Sequence, residues 1–207
     1  MLKIWGRNTS ANVQKAMWAV GELNLEHERF DVGGNYGKNR EPAYLSMNPN
    51  GLVPTLQEGD FILWESNAIV RYLARHYGAG TLEPQDPREI GRANQWMDWQ
   101  LSVVQPAMHT AFWGLIRTPE DKRDMAAIAA SQNKTTDAMK ILDAQLGRTE
   151  YVAGEAFSMG DIPVGVMAYR FRQICPDRPE MRNLERWYAS LQQRQAFKEH
   201  VEAIPLS

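Results

Sequence analysis

The sequence predicts an α/β segment of about 80 residues followed by an all-helical segment of about 120. Three observations predict this. The first 77 residues alternate short strand-like runs with helical ones. Gly78 to Pro87 then carries two glycines and two prolines, the composition of a linker. Beyond it, clusters of β-branched residues give way to apolar residues at helical spacing. The boundaries expected are 1–79, a linker at 80–87, and 88–207.

Leu2 to Gly6 reads as a short strand. From Ala11 the apolar residues Val13, Ala16, Met17 and Val20 recur as on one helix face, and Gly21 to Asn24 carries stop signals. Glu28 to Val32 reads as a second strand. Gly33 to Arg40 is polar and glycine-rich, a loop whose Gly33-Gly34 opens no helix. Pro42 to Met47 suits a short helix. Val53 to Gln57 and Phe61 to Trp64 flank Glu58-Gly59-Asp60, a hairpin signal. Ala68, Ile69, Tyr72 and Leu73 then mark an amphipathic helix to about Tyr77. In the second part Trp96, Trp99, Leu101 and Val104, and later Met139, Leu142 and Leu146, keep helical spacing to about residue 147. Further helices are expected from near Ser158 and from Met181 to Gln193.

Composition excludes several classes of function. The chain is 43% hydrophobic and 23% charged, which supports an ordinary core, and its formal charge of -2 offers no bulk attraction to nucleic acid or an anionic membrane. No apolar run reaches the roughly 18 residues of a membrane span. The first seven residues are too short and polar for a signal peptide. Cys175 is the only cysteine, so no intrachain disulfide forms and a reducing cytoplasm is the expected compartment. The four histidines show no metal-ligand spacing, and no metal is expected.

Two polar placements raise chemical questions. Pro54 stands where a strand begins. It either simply opens that strand or, if its peptide is cis, turns the Val53 backbone outward to pair with an extended peptide ligand. Glu65-Ser66 follows the apolar Phe61 to Trp64 directly. Ser66 either caps the next helix or helps the helix N-terminus hold a carboxylate, with Glu65 beside it for an ammonium. A ligand bearing an amine and a carboxylate on one carbon satisfies both. At the start of the first helix, Ser10 is either a plain cap or a hydroxyl aimed at a reacting group.

The order Ser10-x-Asn12, then Asn48-Pro-Asn-Gly-x-Val-Pro-x-Leu56, a hairpin, and Glu65-Ser-x-Ala-Ile-x-x-Tyr-Leu73 resembles the cytosolic glutathione transferases. Ser158-Met-Gly-Asp-Ile162 resembles that family's helix-capping motif, and the likeness runs through the whole chain. It is similar to the bacterial, serine-type, theta-like members. The resemblance implies a thioredoxin-like N-terminal domain, an all-helical C-terminal domain, and a homodimer that binds glutathione as co-substrate. It implies that Pro54 is cis, that Val53 pairs with the cysteinyl part of glutathione, and that Glu65 and Ser66 hold the γ-glutamyl end. Ser10 takes the place of the thiol-activating serine, with Thr9 and Asn12 as competitors. Lys38 is the best match for the contact to the glycyl carboxylate, with Asn39 and Arg40 competing, and Leu52 stands where many relatives carry Gln or Lys. His109, Phe112, Trp113 and Ile116 match the helix that lines the electrophile's pocket.

The expected activity is therefore transfer of glutathione to apolar electrophiles. Glutathione-dependent disulfide or peroxide reduction is an alternative, as is a non-catalytic binding module of the same fold. No Cys-x-x-Cys is present, which argues against chemistry through a protein thiolate.

Overall fold

The structure, a computed structural model, describes all 207 residues. The chain divides into two compact units, one of Met1–Glu83 with Gln195–Pro205 and one of Pro84–Arg194 with Leu206–Ser207.

The first unit opens with β1 (Leu2–Trp5), α1 (Ala11–Glu22) and β2 (His27–Phe30). It continues with α2 (Pro42–Leu45), β3 (Thr55–Glu58), β4 (Phe61–Trp64) and α3 (Ser66–Tyr77). The sheet order is β2-β1-β3-β4, with β1 and β2 parallel and the other pairs antiparallel. This is the thioredoxin-like arrangement expected. A parallel pair needs a crossover, which α1 supplies, and an antiparallel pair needs only the turn at Gly59-Asp60. Gly59 takes φ +62° there, a conformation glycine adopts without Cβ strain. Alternation follows from the sheet: Leu2 and Ile4 are buried while Lys3 and Trp5 are half-exposed. Residues Val13 to Val20 of α1 are all buried, α1 packs against α3, and α3 buries Ile69, Val70, Leu73 and Ala74.

Three local readings need correction. β2 ends at Phe30 rather than Val32, and Gly34–Tyr36 forms one 3₁₀ turn where Gly33-Gly34 was read as opening no helix. Gly33 and Gly34 both have positive φ, and a Cβ on Gly34 would lie 2.9 Å from Arg7 Cδ, so the turn leaves room for the Arg7 side chain. Thirdly, residues 195–205 belong to the first unit, not to the helical part. There Phe197 sets its ring 4.7 Å from Trp18, and Gly21 leaves α1 open to Ala196, whose Cβ would sit 2.8 Å from any Cβ at 21.

The second unit begins with α4 (Pro87–Trp99), capped by the Asp86 carboxylate accepting from Arg88 N–H, with Pro87 at the first helical position. α4 runs on through a π-helical turn (Gln100–Val104), α5 (Gln105–Phe112) and a second π turn (Trp113–Arg117). Pro106 has no N–H to donate four residues back, and the ladder shifts there to Gln105 N–H donating to Gln100 O. α6 (Met125–Leu146) is capped by Asp124. α7 (Asp161–Ile174) is buried on nearly every side, so it forms the centre of this unit, and α8 (Arg182–Leu191) completes it. No helix is long and apolar enough to cross a membrane.

Candidate active site

Strand register assembles the site. Trp5 pairs with Thr55, and Thr55 pairs with Trp64, so three strand ends lie in one row. Three segments leave from that row: Gly6 to Ser10 after β1, Val53-Pro54 before β3, and Glu65-Ser66 after β4. Adjacent strands are about 4.8 Å apart, so residues far separated in sequence become neighbours at one end of the sheet. Gly6 is the seam: a Cβ there would lie 3.1 Å from Val53 Cβ.

The Val53–Pro54 peptide is cis. The ladder begins at Thr55, which leaves the Val53 N–H and C=O outside it. A buried polar network holds this corner. Tyr44 OH donates to Leu52 O (2.6 Å), Asn48 Nδ2 donates to the same oxygen (2.9 Å), and Tyr44 and Asn48 both bond Thr55 Oγ1. With its own hydrogen committed to Leu52, Tyr44 must accept the Thr55 hydroxyl hydrogen, which gives the network a single direction. Burial raises the Tyr44 pKa above its ordinary 10.0, so it stays a neutral donor at neutral pH.

Ser10 occupies the N-cap position of α1, yet its side chain makes no cap bond. The plain capping reading is thus not what the hydroxyl does. Ser10 is half-buried, and Asn12 in the first turn carries a buried Oδ1 without a hydrogen-bond partner. Ser66 is not a cap either. It is the first residue inside α3, 3% exposed, while Glu65 takes the N-cap position at φ +71°, ψ 112°. That backbone geometry costs a non-glycine residue about 1–3 kcal/mol, a pattern concentrated at ligand-holding positions. Glu65 itself is exposed.

The loop residues separate cleanly. Asn39 Nδ2 donates to Gly51 O (2.8 Å) and Arg40 Nη1 to Asn50 O (3.3 Å), so both tie the loop to the Asn48–Gly51 turn. Lys38 remains exposed beside them. Arg7 lies over Gly33-Gly34, and its N–H donates to Val32 O. Nothing in the sequence assigned a role to Arg7 or Tyr44, and Asn48 stood out only as the first residue of the Asn-Pro-Asn-Gly motif. The glycine pair opposite Arg7 was its only trace in the sequence, and nothing within the short helix marked Tyr44 out.

In the second unit His109, Phe112, Trp113 and Ile116 share the run from α5 into the second π turn. His109 and Trp113 stack loosely, 5.7 Å between rings, and Trp113 is 46% exposed. Trp96 on α4 and Met108 on α5 are buried core. Cys175 is buried, and burial pushes its thiol up to about 11, so it is inert at neutral pH.

Family comparison agrees with this geometry. The N-terminal domain model of the glutathione S-transferases matches residues 1–75, and their C-terminal domain model matches 125–190. Glutathione S-transferase GstB of Escherichia coli K12 is 41% identical, with 100% of both chains covered. The chain belongs to the glutathione S-transferase family. Another relative, glutathione S-transferase F13 of Arabidopsis thaliana, is 31% identical over 95% of this chain and 93% of its own. Among solved structures, the theta-class glutathione S-transferase of Xanthomonas axonopodis pv. citri with glutathione bound superposes at TM-score 0.93 and 44% identity. That match covers 97% of this chain and 96% of that one. The fold of this transferase, a thioredoxin-like unit with a helical one, is that of its family.

Proposed function

We propose that this transferase binds glutathione across the sheet end and attacks apolar electrophiles with its sulfur. The observation that supports this most is the Trp5–Thr55–Trp64 row, which gathers Ser10, Val53, Glu65 and Ser66 at one edge. In this reading Val53 pairs its free main-chain groups with the cysteinyl residue, as an added strand would. The N-terminus of α3 with Ser66 receives the γ-glutamyl carboxylate and Glu65 its ammonium, while Lys38 meets the glycyl carboxylate.

A free thiol titrates at about 8.5, and lowering that by about two units takes roughly 2.7 kcal/mol of selective anion stabilisation. One hydroxyl donating to a charged acceptor supplies about 1.5–3 kcal/mol, and a helix N-terminus about 0.3–1. Ser10 with α1 is therefore sufficient, because its hydroxyl is not engaged in capping. The thiol proton leaves to solvent. The thiolate pair then forms the C–S bond, and the leaving group departs with its own bonding pair. Thr9 and Asn12 flank this arrangement. The Asn12 Oδ1 can accept an S–H but cannot stabilise a thiolate, which favours as a second reading disulfide or peroxide reduction through a thiol oriented by Thr9 or Asn12.

The assembled enzyme is read as a cytoplasmic homodimer. Edge strand β4 and the end of α3 expose Phe61 (43%) and Tyr77 on the α3 side of the sheet and Ile62 and Trp64 (38%) on the opposite side, an apolar edge a monomer would leave in water. The test is parallel assay of purified protein with an aryl halide and with a mixed disulfide of glutathione, in parent and Ser10→Ala. Aryl halide turnover is expected. In the variant its pH profile moves up by one to two units while glutathione affinity stays within about twofold. An unmoved profile removes Ser10 from the role, turnover of the disulfide alone favours the second reading, and glutathione binding without turnover of either leaves a binding module.

A further inference from the structure

The end of the α5 run carries more charge than an apolar pocket needs. Arg117 sets its guanidinium carbon 4.3 Å from the Trp113 ring centre and 5.5 Å from that of Phe112. Arg170, buried on α7, lies 4.7 Å from the same Phe112 ring. An aromatic ledge is thus stacked with one exposed cation and underlaid by another. Arg117 also shows how it holds an acceptor: Nε and Nη2 both donate to the main-chain oxygen of Ser207, at 3.2 and 3.0 Å. The edge of the fork is directed at an exposed oxygen while its face rests on indole.

A simpler role, tying off the helix C-terminus, belongs to another residue. Arg123 donates to Leu115 O (2.9 Å) and Thr118 O (3.2 Å), the carbonyls that terminus leaves over.

We propose that this ledge selects electrophiles bearing an anionic group, a carboxylate or sulfonate on an aryl ring. The aryl ring stacks beside Trp113 and His109, and the anion replaces the Ser207 oxygen on Arg117. An ionised acceptor makes a bond with a guanidinium about twice as strong as a neutral one does, so the fork holds an anionic arene in preference to an uncharged one. The planar fork matters because an ammonium cannot stack on the indole and present two parallel donors at once. The inference rests on the reading of His109, Phe112, Trp113 and Ile116 as the electrophile's wall.

The test compares parent, Arg117→Gln and Arg117→Lys with 4-chloro-3-nitrobenzoate and the uncharged 1-chloro-2,4-dinitrobenzene. A second arm measures the dissociation constant of 3-nitrobenzoate by calorimetry, which needs no turnover. In Arg117→Gln the ratio of kcat/KM for the anionic over the neutral arene should fall about three- to fivefold at low salt, with Arg117→Lys between. The nitrobenzoate constant should weaken by a similar factor, and both effects should shrink in 0.5 M salt, where the screening length is only about 4 Å. An unchanged nitrobenzoate constant overturns the ledge whatever the kinetics. A weakened constant with an unchanged kinetic ratio overturns it as the electrophile's seat. If neither arene reacts, the transferase reading fails and the calorimetric arm alone decides the ledge.

Discussion

Glu65 is held in a backbone conformation that a side chain disfavours, at the mouth of a helix, with its carboxylate in solvent. Strain and ligand contact can be separated there. Glu65→Gly relieves about 1–3 kcal/mol of strain but adds about 0.5–1 kcal/mol of unfolded-state entropy, for a net gain of about 0–2.5 kcal/mol. Removing a charged partner of the ligand ammonium costs about 1.5–3 kcal/mol, so glutathione affinity should fall tenfold or more. Urea unfolding and calorimetry read the two quantities independently. A variant that loses stability, or binds as tightly as the parent, refutes the assignment. Ser66→Ala should also weaken binding, since its hydroxyl sits inside α3 rather than capping it. The sequence showed which residues were polar and out of place. It did not show that neither Ser10 nor Ser66 caps its helix, because cap geometry depends on φ and ψ that the fold imposes.

At the scale of elements, the corner before β3 depends on Tyr44 from α2 and on Asn48. Tyr44→Phe removes one of the two donors to the part-buried Leu52 O, where Asn48 remains, and leaves the buried Thr55 hydroxyl without its acceptor. The expected loss is about 1–3 kcal/mol of stability, together with a higher KM for glutathione and little change in kcat. Steady-state kinetics with unfolding curves check this, and a kcat that falls as much as kcat/KM would place the network in the chemical step instead. The strands and helices themselves were legible because their periods of 2 and 3.6 are local properties of the chain. The π turns around α5 were not. They arise from a missing donor at Pro106 and from packing that no spacing rule encodes.

For the whole molecule, one carboxylate organises the helical unit. Asp161 is fully buried and accepts from Val152 N–H, Ser158 N–H and hydroxyl, and Trp187 Nε1. Of the capping box expected at Ser158 and Asp161, the carboxylate-to-Ser158 N–H half is made, while Ser158 Oγ accepts from Gly160 N–H, and two partners from other segments extend the network. Burial nonetheless pushes the Asp161 pKa from 3.8 up to about 6. A carboxyl with a folded pKa above its unfolded one binds the extra proton in the folded state. Its contribution is therefore greatest below about pH 4 and declines as pH rises to about 6, by about 3 kcal/mol at most. Asp161→Asn has no such slope. Unfolding free energies at pH 4, 5, 6 and 7 should show the parent-minus-variant difference falling to pH 6 and level above it. A difference that rises over that range contradicts the assignment. Trp64→Glu tests the assembly: it should shift a dimer toward monomer in sedimentation at micromolar concentration, by desolvating a charge within the apolar edge.

By itself the sequence determined the two-part architecture and the segments that carry the chemistry. Apolar periodicity, proline and glycine punctuation, and misplaced polar residues all act within a few residues of themselves. Tertiary structure decided what those segments do together. Only strand register sets residues 10, 53 and 65 at one sheet end, and only return of the chain seats Phe197 on Trp18. Such contacts join residues tens of positions apart, whose proximity is a property of the folded chain as a whole.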